Sequence, residues 1–182
     1  MSHPPSTVPL RPLGRTAVQV SPVALGCWPI AGVSTIDVND ADSIATIRAA
    51  VDSGVNFLDT AYCYGPQGES ELLIRRALAE MPAGQRDALV IATKGGIHYD
   101  AQGKQAPDAR PATLRRECDE SLQRLGVDHV ALYYLHAPDP ATPLAESAGA
   151  VRALVEQGKA RAAGASNCTL SQLQEFHAIC PL

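Results

Sequence analysis

Asp59 and Tyr64 stand five residues apart in the stretch Asn56-Phe57-Leu58-Asp59-Thr60-Ala61-Tyr62-Cys63-Tyr64-Gly65. The stretch opens as the short apolar run of a buried strand, presents a carboxylate at its carboxyl end, and then a phenol. Lys94 follows the apolar run Ala88 to Thr93, and His136 follows the run His129 to Leu135. Together these groups suit the delivery of a proton to a carbonyl oxygen. A free phenol titrates near ~10, and a neighbouring ammonium favours the phenolate and brings that value down. Asp59 would hold Lys94 charged through an ion pair. His136 would donate a hydrogen bond to the substrate oxygen while Tyr64 gives it a proton. No side chain supplies a hydride, so a cofactor must.

Each residue alone has a plainer reading. Asp59 caps a turn, Tyr64 steadies the Gly65-Pro66 turn, Lys94 is a solvated lysine and His136 is a satisfied strand-end histidine. The set carries the argument, because four titratable types fall at the ends of successive strands.

The elements that position them alternate regularly. Leu10 to Ser21 predicts a small hairpin turning near Gly14. Val23 to Gly26, Val55 to Leu58, Ala88 to Thr93, His129 to Leu135 and Ala160 to Ala165 predict five strands. Between and after them, helical spacing predicts helices over 40–53, 69–81, 111–126, 143–157 and 169–179, with Gly54, Gly126 and Gly158 as stops. Residues 95–110 read as a long loop. Strand–helix alternation implies parallel strands and right-handed crossovers. No Gly-x-Gly-x-x-Gly follows the first strand, against a doubly wound dinucleotide-binding sheet. Polar residues at the carboxyl ends of the strands favour an α/β fold of the (β/α)8, or TIM, barrel type. A full barrel needs eight units; about five are predicted here. The expected layout is a disordered arm over 1–9, which holds three of the 14 prolines, and an incomplete barrel domain over 10–182.

The chain has 182 residues, 46% of them hydrophobic, enough for one sizeable core. The net charge is -4 with no long basic run, which excludes a nucleic-acid or anionic-membrane partner. Five cysteines, odd in number and without a Cys-x-x-Cys pair, predict neither a zinc site nor a disulfide framework. The amino end lacks the basic and apolar regions of a signal peptide, and the run from Val23 to Val33 is too short to span a bilayer. A cytoplasmic protein with reduced thiols is the expectation.

The chain resembles the aldo-keto reductases from Leu13 to Leu182. Leu13-Gly14-Arg15-Thr16 with Val20-Ser21 is similar to the hairpin that closes the barrel floor. Gly26-Cys27-Trp28 resembles the first-strand end that touches cofactor and substrate. The stretch from Gly54 through Asp59 and Tyr64 to Gly65 resembles the family's first signature. Thr93-Lys94 and Tyr134-Leu135-His136 resemble the strand-three lysine and strand-four histidine. Gly158-Lys159-Ala160-Arg161 leading to Gly164-Ala165-Ser166-Asn167 is similar to the fifth-strand segment.

The resemblance implies an oxidoreductase that reduces aldehydes or ketones to alcohols with NADPH. Asp59, Tyr64, Lys94 and His136 would be catalytic, with Tyr64 the proton donor. Gly26, Cys27, Trp28, Asp59, Ser166 and Asn167 would bind NADPH/NADP, the Ser-Asn pair taking the nicotinamide carboxamide. Trp28, Tyr64 and His136 would face a small carbonyl substrate, and no metal is implied.

The resemblance also implies that the family's sixth to eighth strands, with their pyrophosphate clasp and 2′-phosphate contacts, would come after Leu182. The expectation is therefore a carboxy-terminally truncated member, with weakened NADPH binding and little or no activity of its own. Two unpaired sheet edges and one uncovered apolar face are expected, open to self-association. The alternatives are a non-catalytic cofactor-sensing or scaffold protein, and a half-barrel subunit that needs a complementary chain.

Overall fold

A computed structural model describes residues 8–182. Residues 1–7, most of the expected disordered arm, lie outside the described residues. The chain enters an antiparallel hairpin of β1 (Arg11–Pro12) and β2 (Gln19–Val20), with Gly14 at φ 56° in its turn. Five parallel strands follow, each with a helix after it. These are β3 (Leu25–Gly26) with α1 (Asp40–Asp52), and β4 (Phe57–Asp59) with α2 (Glu69–Ala79) and the single-turn α3 (Ala83–Asp87). Next come β5 (Val90–Gly95), a short antiparallel hairpin of β6 (Ile97–Tyr99) and β7 (Gln105–Pro107), and α4 (Pro111–Leu125). The pairs β8 (Val130–Leu135) with α5 (Leu144–Glu156), and β9 (Ala160–Ala165) with α6 (Leu170–Ile179), complete the order.

Local chemistry explains the helix ends. Asn39 accepts from the Asp42 amide at the start of α1, Pro111 opens α4 where its missing donor costs nothing, and Thr169 and Gln172 form a capping box on α6. The spatial order of the sheet, β3-β4-β5-β8-β9, equals the chain order. Right-handed crossovers between strands added always on the same side place all the helices on one face. A doubly wound sheet would reverse its order, so this is the barrel-type arrangement, with five of its units.

Side-chain alternation divides the two faces. Leu58, Ile91, Tyr133 and Leu135 join the large core under the helices. Phe57, Val90, Ala92 and Leu132 form a second cluster on the opposite, concave face. An uncovered apolar face was expected there. Instead, Leu13, Val18 and Val20 of the first hairpin pack against it, so Phe57, Val90 and Leu132 are all buried. The hairpin is a lid on the floor because its alternation presents apolar residues to the strands rather than to water. The edges do match expectation: β3 pairs only with β4, and β9 only with β8, among the described residues.

The segment expected to be a plain loop over 95–110 contains the β6–β7 hairpin, and α3 was not anticipated. Both are too short to carry a period of two or 3.6, and neither has a buried face: α3 is exposed throughout, and the hairpin strands are exposed or half-buried.

Candidate active site

The concave-face parity that buries Phe57, Val90 and Leu132 also sends Asp59, Lys94 and Tyr134 to the carboxyl rim, two or four residues further along the same strands. Register sets Lys94 opposite Tyr134, and Asp59 opposite Ala92, two residues short of Lys94 on the same face of β5. Lys94 is only 6% exposed. Its ammonium lies 2.8 Å from Asp59 Oδ1, at an angle too oblique for a hydrogen bond but close enough to pair the charges. It donates to the Thr60 carbonyl at 2.8 Å and to the Tyr64 hydroxyl at 3.3 Å, and lies 5.7 Å from the centre of the Tyr134 ring. A nearly buried cation thus finds a carboxylate, a carbonyl, a phenol and two aromatic faces, which offset its lost hydration.

Tyr64 arrives by a turn. The Tyr62 amide donates to the Lys94 carbonyl, and the Tyr64 amide to the Ala61 carbonyl, so the segment folds back over the end of β5. The Tyr64 ring meets Trp28 edge-on at 5.0 Å between centroids, and His136 edge-on at 5.8 Å. His136 follows β8, its amide donating to Gly95 and its carbonyl accepting from Asn167 Nδ2 at 2.8 Å. Burial, and to a lesser degree the Lys94 charge, push the His136 imidazole down to about 4. At neutral pH it is an uncharged imidazole with one ring proton.

The expected nucleotide contacts are placed less evenly. Gly26 is exposed at the end of β3 in register with Asp59, and a Cβ there would meet nothing within 4 Å. Ser166 and Asn167 follow β9, with Asn167 in the left-handed region at φ 55° and its Nδ2 3.3 Å from Ser166 Oγ. Cys27 differs. Its thiol is fully buried in the helix-side core, and both its backbone groups are engaged, the amide with Asp59 and the carbonyl with Ser70. Its side chain braces the strand end rather than facing the rim.

Three further residues surround the site. Thr60 offers the carbonyl that holds Lys94, Tyr134 forms the wall beside it, and Cys63 lies against His136 with Sγ 3.5 Å from Nδ1. Tyr134 was within reach of alternation, being two residues before His136 and two after Leu132, which faces inward. Cys63 gave no signal, because its orientation depends on how the turn to Tyr64 folds.

Behind the rim, carboxylates on α2 and α4 anchor β5. Glu71 accepts from Thr93 Oγ1 at 2.7 Å and pairs with Arg124 at 3.4 Å, while Glu117 accepts from the Gly96 amide at 2.7 Å. Thr93 and Gly96, which flank Lys94 and Gly95, are thus both bonded to carboxylates of the helix layer.

A model of the Aldo/keto reductase family matches residues 22–182. The chain belongs to the aldo-keto reductases. It is 37% identical over 167 residues to the aldo-keto reductase YhdN of Bacillus subtilis, covering 92% of this chain and 49% of that protein. Among solved structures, the glycerol dehydrogenase of Gluconobacter oxydans superposes with a TM-score of 0.85 at 38% identity, covering 95% of this chain and 53% of that one. The holo form of an aldo-keto reductase from Bacillus halodurans gives 0.81 at 27% identity, covering 95% and 55%. The chain spans about half the length of the curated aldo-keto reductases it matches, as five units of a barrel would. Its fold is that of a partial barrel. No helix among the described residues is long and apolar enough to cross a membrane.

Proposed function

We propose that this site belongs to an NADPH-dependent reductase of small aldehydes or ketones in which Tyr64 is the proton donor. The observation that carries the reading is the Tyr64 hydroxyl 3.3 Å from a buried ammonium that is itself paired with Asp59. The Lys94 ammonium stabilises the negative charge that develops on the Tyr64 oxygen as its proton leaves, and Asp59 holds that ammonium in place. His136, uncharged at neutral pH, donates its single ring proton to the substrate oxygen and orients it toward Tyr64. Trp28, edge-on to Tyr64, walls the substrate side and excludes water.

Reduced nicotinamide, when bound, supplies the hydride. The residues present fit its amide-bearing end. Exposed Gly26 leaves backbone free of a side chain, the Ser166 hydroxyl can donate to a carboxamide oxygen, and Asn167 Oδ1 has no hydrogen-bond donor among the described residues. Cys27 contributes by holding the strand end beside Asp59. Five free thiols, four of them buried, support a reducing compartment such as the cytoplasm.

The 182-residue polypeptide on its own binds NADPH weakly and turns over little or nothing. Its relatives are about twice as long, and among the described residues its main sheet has five strands and two open edges. Those edges also support a second reading, a half-barrel that self-associates or pairs with a complementary chain. Fluorescence titration with NADPH alongside sedimentation velocity and an aldehyde turnover assay separates the cases. Weak binding and negligible turnover by monomer are expected. Full turnover by a monomer of 182 residues would overturn the inactivity, and tight binding only in an assembly would favour the second reading.

A further inference from the structure

We propose that Cys63 is a positioning residue for His136. Its thiol donates to Nδ1, which keeps the single imidazole proton on Nε2, the nitrogen left for a substrate oxygen. The inference rests on the proposed function for its purpose, but not for its geometry.

His136 is held at three points. Its amide and carbonyl are tied to Gly95 and Asn167, which fixes the backbone after β8. The ring makes one hydrogen-bond contact among the described residues, from Nδ1 to Cys63 Sγ at 3.5 Å. An uncharged imidazole has one donor and one acceptor nitrogen, and the partner at one nitrogen decides the role of the other.

Cys63 is equipped to be the donor. Its side chain is almost wholly buried, and burial pushes the thiol up to about 12, so the sulfur keeps its proton through the neutral range. A protonated thiol beside an imidazole acceptor gives S–H···N. The reverse arrangement, Nδ1–H toward sulfur, would pair the ring proton with a weak acceptor and leave Nε2 unable to donate to a carbonyl oxygen.

The thiol is also placed deliberately by its surroundings. The carbonyl of Cys63 accepts from Gln105 Nε2 at 3.1 Å, so the β6–β7 hairpin fastens this residue from above. The carbonyl of Tyr62 accepts from Arg124 at 3.2 Å, and the Tyr62 amide donates to Lys94, fastening it from below. The same segment thus sets both the Tyr64 hydroxyl and the His136 tautomer.

The test is the imidazole nitrogen shifts of His136 in the 15N-labelled chain, read by long-range proton–nitrogen correlation near neutral pH. Wild type is expected to show a protonated Nε2 and an unprotonated, hydrogen-bonded Nδ1. Cys63→Val is expected to move both shifts toward the average of two exchanging tautomers, and Cys63→Ser, which keeps a donor, to restore the wild-type pattern. A wild-type ring protonated on Nδ1, or shifts unchanged in Cys63→Val, would overturn the proposal. If the valine variant does not fold, the wild-type and serine spectra decide.

In a polypeptide that turns over a carbonyl, Cys63→Val is expected to lower kcat about tenfold with the KM for NADPH unchanged, well short of the ~10²–10⁴-fold typical of a proton-transfer group. Because the tautomer is read without turnover, a lack of carbonyl reduction in any assembly that carries this site would count against the proposed function alone.

Discussion

Gly164 lies directly opposite Tyr134 across β8 and β9, and a Cβ on Gly164 would collide with the Tyr134 ring at three of its carbons. The ring needs that gap to lie over the concave face, where it stands beside the Lys94 ammonium. A glycine in one strand therefore shapes the wall of a site carried by its neighbours. The ring atoms involved are close to the backbone and rigid, so the side chain cannot swing away cheaply.

Gly164→Ala is accordingly expected to destabilise the chain by about 1–3 kcal/mol, the usual cost of overpacking. Denaturant unfolding checks it. Adding Tyr134→Leu to the same variant should recover part of the loss, since the obstacle is then removed. Equal losses with and without the second change would show that the clash is not the cause.

Much of this arrangement was legible in the sequence. The five strands, their helices and the rim positions of Asp59, Lys94 and His136 follow from apolar runs that end where polar residues begin. That signal is strong because a parallel strand covered on both faces must be apolar for nearly its whole length. The role of Gly164 was not legible, because it depends on cross-strand register with Tyr134. Nor was the contact of Cys63 with His136, which are 73 residues apart. The hairpin and its place on the barrel floor were legible, but how far its side chains cover the concave face was not, because strands of two residues alternate too briefly to show which side chains turn inward.

His136 and Glu117 make opposite contributions to pH dependence. Burial lowers His136 from 6.5 to about 4 and raises Glu117 from 4.5 to about 7. Between about 4 and 6.5 the unfolded chain holds more protons at His136, so that contribution to stability is present above 6.5 and is lost as pH falls to 4. Between about 4.5 and 7 the folded chain holds more protons at Glu117, so its contribution is present below 4.5 and is lost as pH rises through 7. Each spans at most ~3–4 kcal/mol at 1.36 kcal/mol per pKa unit, and in wild type the two largely offset. Glu117→Gln should therefore expose a stability that climbs from pH 4 to 6.5, and His136→Gln one that declines from pH 4.5 to 7. Denaturation midpoints across pH 4–7.5 give the curves. Parallel curves for the two variants would refute the assignment.

The sheet order predicts a gradient of local stability. β5 and β8 are paired on both sides, whereas β3 and β9 have one partner each among the described residues. Amide hydrogen exchange should be slowest in β5 and β8, approaching the global unfolding free energy there. β3, two residues long at an open edge, should exchange first. β9 should become more protected if the chain self-associates through that edge, so a concentration series distinguishes assembly from a free edge. Protection in β9 equal to that of β8 in dilute monomer would contradict the topology.

Tyr64 and Lys94 offer the sharpest chemical test, because each can be altered while its neighbours keep their shape. Tyr64→Phe removes one hydroxyl and leaves the ring against Trp28 and His136. In a polypeptide competent for turnover, kcat should fall ~10²–10⁴-fold, with little change in NADPH binding or stability. Lys94→Met fills the same channel without the charge. It leaves Asp59 and the Thr60 carbonyl without their cation, so it should lose activity to a similar degree and lose stability as well. The two effects should not add. On the proposed reading Tyr64 acts only with Lys94 beside it, so the double variant should turn over no more slowly than the worse single one. Multiplying rate losses in the double variant would mean that the two residues serve separate steps.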